Sequence, residues 1–417
     1  MKWVSAISEA RSSAEAVDAL EKSILSDLEE GVDLAVLFVS SFFKNDFDKL
    51  PALFYERLGC RVLIGCSAGG VIANRREIER RPAIALVAAS LPDVSINPFH
   101  LDQADLPGLD ASPKKWQTAF GGAPTPNGIT ALVEAVEKNA MQTPVIEMPD
   151  PHFMLLADPF TMDVERTLQG LDYAYPNAVK IGGLASGAEG AGQTGLFVNK
   201  ERYRSGIVGI ALSGNIAIDT IVAQGCRPIG NPFSITKCEK NLLVEIDGQK
   251  PIDVLQTLYQ ELSEPDQRLM QHSLFIGLAM TPFKENLSRG DFLIRNMIGV
   301  DARTGAITLG ALLREGQTAQ FHLRDKETSS EDLKWYLAQY QIEKKPKSAR
   351  GALMFSCLGR GAHLYGEPDF DTRLFHAQLG SVPMGGFFCN GEIGAVGRTT
   401  FLHGYTSCLG IFRAEEG

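Results

Sequence analysis

Two stretches of this chain follow one plan, and that self-similarity restricts its fold more than any other feature of the sequence. The first, residues 33–92, runs "DLAVLFVSSFF", a helical segment ending in "LFYERLG", then "RVLIGCSAGG", a charged hairpin-like stretch and "PAIALVAASL". The second, residues 151–214, runs "HFMLLADPF", a helical "DVERTLQGLDYAYP", then "AVKIGGLASG", a Gly-rich turn and "SGIVGIALSG". Leu37 to Ile64 is 27 positions and Leu155 to Ile181 is 26, so the spacing of the parts is kept as well as their order. A fainter third echo lies in "GALMFSCLGRG" (351–361), "MGGFFCNGEIG" (384–394) and "YTSCLGIF" (405–412).

In each block an apolar strand leads through one helix to a second strand, the length of a parallel βαβ crossover, and further strands then pair as a hairpin. The expectation is an α/β protein of two domains, with mixed sheets and flanking helices in layers, built from internal repeats. The 417 residues exceed the size at which one core usually stops growing. A boundary is placed near 240, giving domains 1–240 and 241–417, because "NLLVEIDGQKPIDVLQTLYQEL" opens afresh with a strand, a turn at Asp247-Gly248 and a helix. Ahead of the first block, Ser12 and Glu15 have capping-box spacing, and Val17, Leu20, Ile24 and Leu28 line one face, predicting a helix over 13–30. Six prolines between 92 and 128 predict an irregular surface excursion. "NRREIERR" (74–81) reads as a solvated hairpin tip, and "EKKPKSAR" (343–350) as a solvated link.

The net charge of -10 repels phosphate backbones and anionic lipid heads, which argues against nucleic acid and membrane surfaces as partners. No apolar run reaches the span of a bilayer and the N-terminus lacks the pattern of a secretion signal, so the expected location is cytoplasmic. Seven scattered cysteines without C-x-x-C, and seven scattered histidines without H-E-x-x-H, predict reduced thiols, no metal and no cofactor.

Forty-one glycines make Gly-rich turns a theme, and two such turns follow strands at equivalent places in the repeats. Gly65-Cys66-Ser67-Ala68-Gly69 satisfies the G-x-S-x-G nucleophile pattern, yet only one convincing strand precedes it and no oxyanion-hole segment lies upstream. Its partner, "GGLASG", carries Ser186 in a different register. Ser67 therefore reads first as a packing or ligand-lining residue and last as a nucleophile. Such turns let backbone N–H groups converge on an anion. The C-terminal stretch "GGFFCNGEIGAVGRTTFLHGYTSCLGIF" places Asn390, Glu392, Arg398, His403 and Thr406 among glycines. A Glu beside a buried-looking Ile393 needs a partner, for which Arg360 or Arg398 is the natural candidate, either as a tie within the fold or as part of a binding site. His403 reads first as a satisfied core histidine.

The motifs "IGCSAGG" (64–70), "GCRPIG" (225–230), "EIDG" (245–248) and "NGEIGAVG..TFLHGYTS" (390–407) resemble those of the FIST sensory domain family, in both its N-terminal and C-terminal parts. The resemblance implies a small-ligand-binding sensory module for amino acids or related carboxylate metabolites. With no output segment beside the sensory part, it also implies signalling through a protein partner or a homo-oligomer. Gly65, Cys66, Ser67, Ser186, Arg360, Asn390, Glu392, Arg398 and His403 are the candidate ligand-binding residues, with none assigned as catalytic. Two other readings stay open at this point: a serine or cysteine hydrolase using Ser67 or Cys66, and a protein-interaction scaffold.

Overall fold

The computed structural model describes residues 1–121, 150–281, 287, 290–344 and 348–415. It is an α/β architecture in which one strand order occurs three times. In the first sheet the strands Lys2–Ser8, Ile84–Ser90, Leu34–Ser40 and Val62–Ala68 lie side by side. In the second the corresponding order is Val94–Leu101, Ile207–Gly214, His152–Ala157 and Lys180–Leu184. In the third it is Ala217–Ala223, Ser407–Arg413, Gly351–Cys357 and Met384–Cys389. The two last-named strands of each set are parallel, the βαβ pair that the sequence predicts, and the rest pair antiparallel.

Each sheet is then completed by a hairpin belonging to another unit. The hairpin Leu196–Val198/Glu201–Tyr203 of the second unit joins the first sheet, and Glu392–Val396/Thr399–His403 of the third joins the second. Gly70–Ala73/Arg76–Glu79 of the first unit joins the third sheet. The exchange is cyclic, so none of the three sheets is complete without its neighbour. A glycine at the same register position recurs in each parallel pair. A Cβ on Gly65, Gly182 or Gly386 would lie 2.0, 1.8 or 1.9 Å from the carbonyl oxygen of Leu37, Leu155 or Met354.

The inner faces of the three sheets meet in one shared core, where Phe38 of the first stacks on Phe387 of the third at 4.8 Å. Their outer faces are covered by helices: Ser13–Asp27 and Leu50–Leu58 on the first, Pro113–Gly121 and Val164–Ala174 on the second, Lys326–Lys344 and Phe370–Leu379 on the third. Burial on both faces explains why "LAVLFVS", "VLIGCSA" and "IALVAAS" are apolar throughout instead of alternating. The first helix starts as predicted, with Glu15 N donating to Ser12 Oγ at 3.3 Å.

Between Ala223 and Gly351 the third unit is interrupted by a closed six-stranded barrel, entered at Cys226 and left at Arg324. Lys240 lies in the turn between the first two barrel strands, Cys226–Glu239 and Leu242–Ile246. The proline-rich excursion needs correcting where it is described: Val94–Leu101 is a strand and Pro113–Gly121 a helix, while 122–128 lies outside the described residues. Pro98 is tolerated because that strand is an edge of its sheet, where a missing N–H need not break a ladder. The arginine-rich hairpin turns at Asn74 and Arg75, both with positive φ, and its arginines are solvated, Arg76 pairing with Glu9 at 2.6 Å. Its Glu77 is not solvated: it is buried against the third unit and accepts from Thr372 N at 2.8 Å.

Candidate functional site

The ends of the second strands of the three units, where the Gly-rich turns begin, converge where the three sheets meet. Ser67 Oγ donates to the Ser186 carbonyl at 3.3 Å and accepts from Gly195 N at 3.1 Å. Ser186 N donates to the Ser67 carbonyl at 3.2 Å, while Ser186 Oγ accepts from Gly69 N at 2.8 Å and donates to the Phe388 carbonyl. Asn390 adds to the join between the second and third units, its N donating to the Leu184 carbonyl at 3.1 Å and its Nδ2 to the Ala185 carbonyl at 3.4 Å. Ser67 and Ser186 are 1 % and 0 % exposed, so this meeting point is packed shut. The N–H groups of the turns are spent on neighbouring turns.

That geometry bears directly on the nucleophile pattern. The Ser67 hydroxyl bonds to main-chain groups and has no imidazole or carboxylate partner among the described residues. Cys66 is wholly buried, and loss of hydration holds its thiol well above the ordinary range, the reverse of an activated thiolate. Gly65 is fixed by the close approach of Leu37 already described.

Glu392 opens the third unit's hairpin and pairs with Gly183 across the sheet and with His403 within the hairpin. It is fully buried, and one carboxyl oxygen, Oε2, accepts from Thr406 N at 3.1 Å and Thr406 Oγ at 2.7 Å. The other oxygen has no partner among the described residues. Burial pushes the Glu392 pKa up to about 8, against the opposing pull of Thr406, Arg324 and Arg360. His403 Nε2 meets the Gly394 carbonyl at 3.1 Å, and burial pushes its pKa down to about 4, so it is a neutral core histidine.

The two candidate arginines differ. Arg360, in the loop after Gly351–Cys357, is fully buried and binds Asp371 at 2.8 and 3.0 Å and Tyr365 Oη at 2.5 Å. Burial alone would lower its pKa, and Asp371 and Tyr365 outweigh that, holding it above its ordinary value. Arg398 stands apart at the far end of the hairpin, exposed, donating to Asn177 Oδ1 at 2.7 Å. Neither forms a direct ion pair with Glu392; Thr406 supplies the hydrogen bonds instead.

Beside this cluster a cleft of about 160 Å³ opens between the barrel and the three-sheet body. Asn390, His403 and Tyr405 line it from the third unit, Arg295 and Asn296 from the barrel strand Phe292–Val300, and Glu165 from the second unit. Arg295 donates to Glu165 Oε1 and to the Leu402 carbonyl, each at 3.1 Å, and Tyr405 Oη donates to Asn296 Oδ1. Sequence reasoning missed Tyr405, Arg295 and Arg324, because each acquires its role from a contact between the barrel and a hairpin far away in the chain. No group of three or more His, Cys, Asp or Glu side chains suited to a metal occurs among the described residues. No described helix is long and apolar enough to cross a membrane.

Residues 33–249 match the FIST N domain and residues 251–395 the FIST C domain. An uncharacterised protein of Mycobacterium tuberculosis is 32% identical over 379 residues, covering 91% of each chain. An uncharacterised protein of Mycobacterium bovis is 30% identical over 383 residues, covering 92% of this chain and 91% of its own. Among solved structures, a cyanuric acid hydrolase from A. caulinodans aligns over 100% of both chains with a TM-score of 0.31 and 10% identity, a likeness too slight to bear on chemistry. With both domain types matched in sequence order across most of its length, the chain belongs to the FIST family of sensory domains.

Proposed function

We propose that this protein binds a small carboxylate metabolite, an amino acid or a relative of one, in the cleft between the barrel and the three-sheet body, and signals by fixing the orientation of the barrel. The observation that carries this reading is the cleft itself. It is roofed by barrel residues Arg295 and Asn296 and floored by Asn390 and Tyr405. Polar groups converging from two bodies on one hollow are the usual makings of a small-molecule site. A ligand touching both sides favours whichever barrel orientation lets it do so, and that population shift is the signal a partner protein or a second copy reads. The packed meeting point of Ser67 and Ser186 then serves as the rigid base against which the barrel moves.

Titration calorimetry of the full chain against a panel of amino acids and simple carboxylates tests the proposal, with Asn390→Ala and Arg295→Gln as site variants. Heat of binding that saturates in the parent and falls about tenfold or more in affinity in either variant supports it, a loss expected for one charge-assisted hydrogen bond. A panel that gives no saturable heat, or variants that bind as the parent does, overturns it.

A further inference from the structure

Behind Tyr405 lies a guanidinium with one edge unpartnered among the described residues. Arg324 ends the last barrel strand at the junction with the three-sheet body and is only 7 % exposed, yet its Nε and Nη2 have no hydrogen-bond partner among the described residues. Those two N–H groups form the side-on edge of the guanidinium, the edge whose spacing matches the two oxygens of a carboxylate. Glu392, on which Arg324 acts electrostatically, likewise keeps Oε1 buried and unpartnered. Buried polar atoms in folded proteins are almost always satisfied, so these unpartnered atoms point to a guest.

Tyr405 lies between Arg324 and the cleft. Its ring covers the Arg324 guanidinium at 5.1 Å and packs on Phe275 at 4.4 Å, while the same residue lines the cleft. Its backbone has φ +66, a conformation that costs an aromatic residue energy and that persists where surrounding contacts impose it. One of those contacts is the hydrogen bond from its hydroxyl to Asn296 on the barrel.

We propose that Arg324 Nε and Nη2 form the carboxylate-binding end of the ligand site, and that Tyr405 is the gate that closes it off from the cleft. This rests on the small-ligand reading of the cleft and adds to it the residue that selects for an anionic group. A bound carboxylate takes the two N–H groups of the Arg324 fork. A cationic or uncharged molecule without a carboxylate leaves the guanidinium edge empty and gains nothing from it.

The test uses the full chain with acetate, L-alanine and ethylammonium as probes, in the parent, Arg324→Gln, Arg324→Lys and Tyr405→Gly. Calorimetry gives affinities, stopped-flow fluorescence gives association rates, and circular dichroism checks each fold. Expected are acetate and L-alanine affinities lowered about ten- to hundredfold in Arg324→Gln, the loss of a bidentate charge-assisted contact. Arg324→Lys, which keeps the charge but not the fork, fails to rescue them, and Tyr405→Gly speeds association. Parent binding that survives unchanged in both Arg324 variants overturns this assignment while leaving the cleft reading intact. Ethylammonium binding as tightly as L-alanine overturns it too, and the absence of any carboxylate binding to the parent overturns both readings. Should Arg324→Gln fail to fold, Arg324→Lys alone decides.

Discussion

Ser67 and Ser186, one from each of the two clear repeats, clasp each other by their main chains and side chains: Ser67 Oγ donates to the Ser186 carbonyl at 3.3 Å, and Ser186 N donates to the Ser67 carbonyl at 3.2 Å. A serine that matches the letters of a nucleophile motif is thus a joint between sheets. Ser67→Ala is expected to leave Gly195 N without its side-chain acceptor in a buried setting and to cost about 1–3 kcal/mol of stability. Urea unfolding measures this. A fluorophosphonate probe should leave the native parent unlabelled at Ser67, and stable labelling there would restore the hydrolase reading.

The thiol beside it is the other test of that chemistry. Cys66 is buried and its pKa is held well above the ordinary value by lost hydration. Native protein treated with iodoacetamide at neutral pH should be unmodified at Cys66 by peptide mass mapping. After unfolding in denaturant the same residue should label readily. Rapid modification in the native state would mean that the site opens and that the thiolate is stabilised there.

Three glycines carry the repeat more faithfully than any apolar residue does. At Gly65, Gly182 and Gly386 a Cβ would press within about 2 Å of a carbonyl oxygen on the paired strand, and that oxygen is main chain and cannot step aside. Alanine at any of the three should therefore cost more than about 4 kcal/mol, in the range reserved for severe backbone or core damage. Soluble yield and the urea midpoint report it. Gly31, with no atom within 4 Å of its Cβ position but with φ +92, serves as a milder control.

The first two units were legible in the sequence because their strands, buried on both faces, stand out as unbroken apolar runs. The third gave only an echo over 351–412, and its first strand, Ala217–Ala223, could not be joined to it in the sequence because the whole barrel lies between them along the chain while they stay in one sheet in space. Hairpin exchange was invisible for a related reason, since a hairpin reads the same whichever sheet it joins. The polar richness of "NGEIGAVGRTTFLHGYTS" singled out Asn390, which bonds to the second unit's turn, but it could not separate Arg398, which points to Asn177, from Arg360. Nor could it show that Arg324 and Tyr405 stack, because that contact exists only once the barrel is docked.

Arg360 and Asp371 form a buried ion pair with Tyr365 as a third member. Removing one partner strands the other charge away from water, so Arg360→Met should cost about 3–5 kcal/mol. Arg360→Met with Asp371→Leu removes both charges and should recover part of that loss, a coupling that a double-mutant cycle in urea isolates. A double variant no better than the sum of its single variants would mean that the pair contributes through its separate contacts alone.

Glu392 makes stability depend on pH with a definite sign. Its ordinary pKa of 4.5 rises to about 8 in the folded protein because burial penalises the carboxylate, so between those values the folded state holds a proton that the unfolded state has released. The contribution is therefore fully present below about pH 4.5 and is lost progressively as pH rises through about 8. Glu77, pushed up to about 8 by burial and by Asp371, acts in the same direction, so the parent should weaken across this window through both groups. Glu392→Gln keeps an oxygen for Thr406 N and Oγ while removing the titration, and the variant should lose part of the decline and gain on the parent most at pH 8 and above. Parallel urea titrations from pH 5 to pH 9 measure the difference. A gap between variant and parent that stays constant across that range would show that Glu392 ionises in the fold as it does in water.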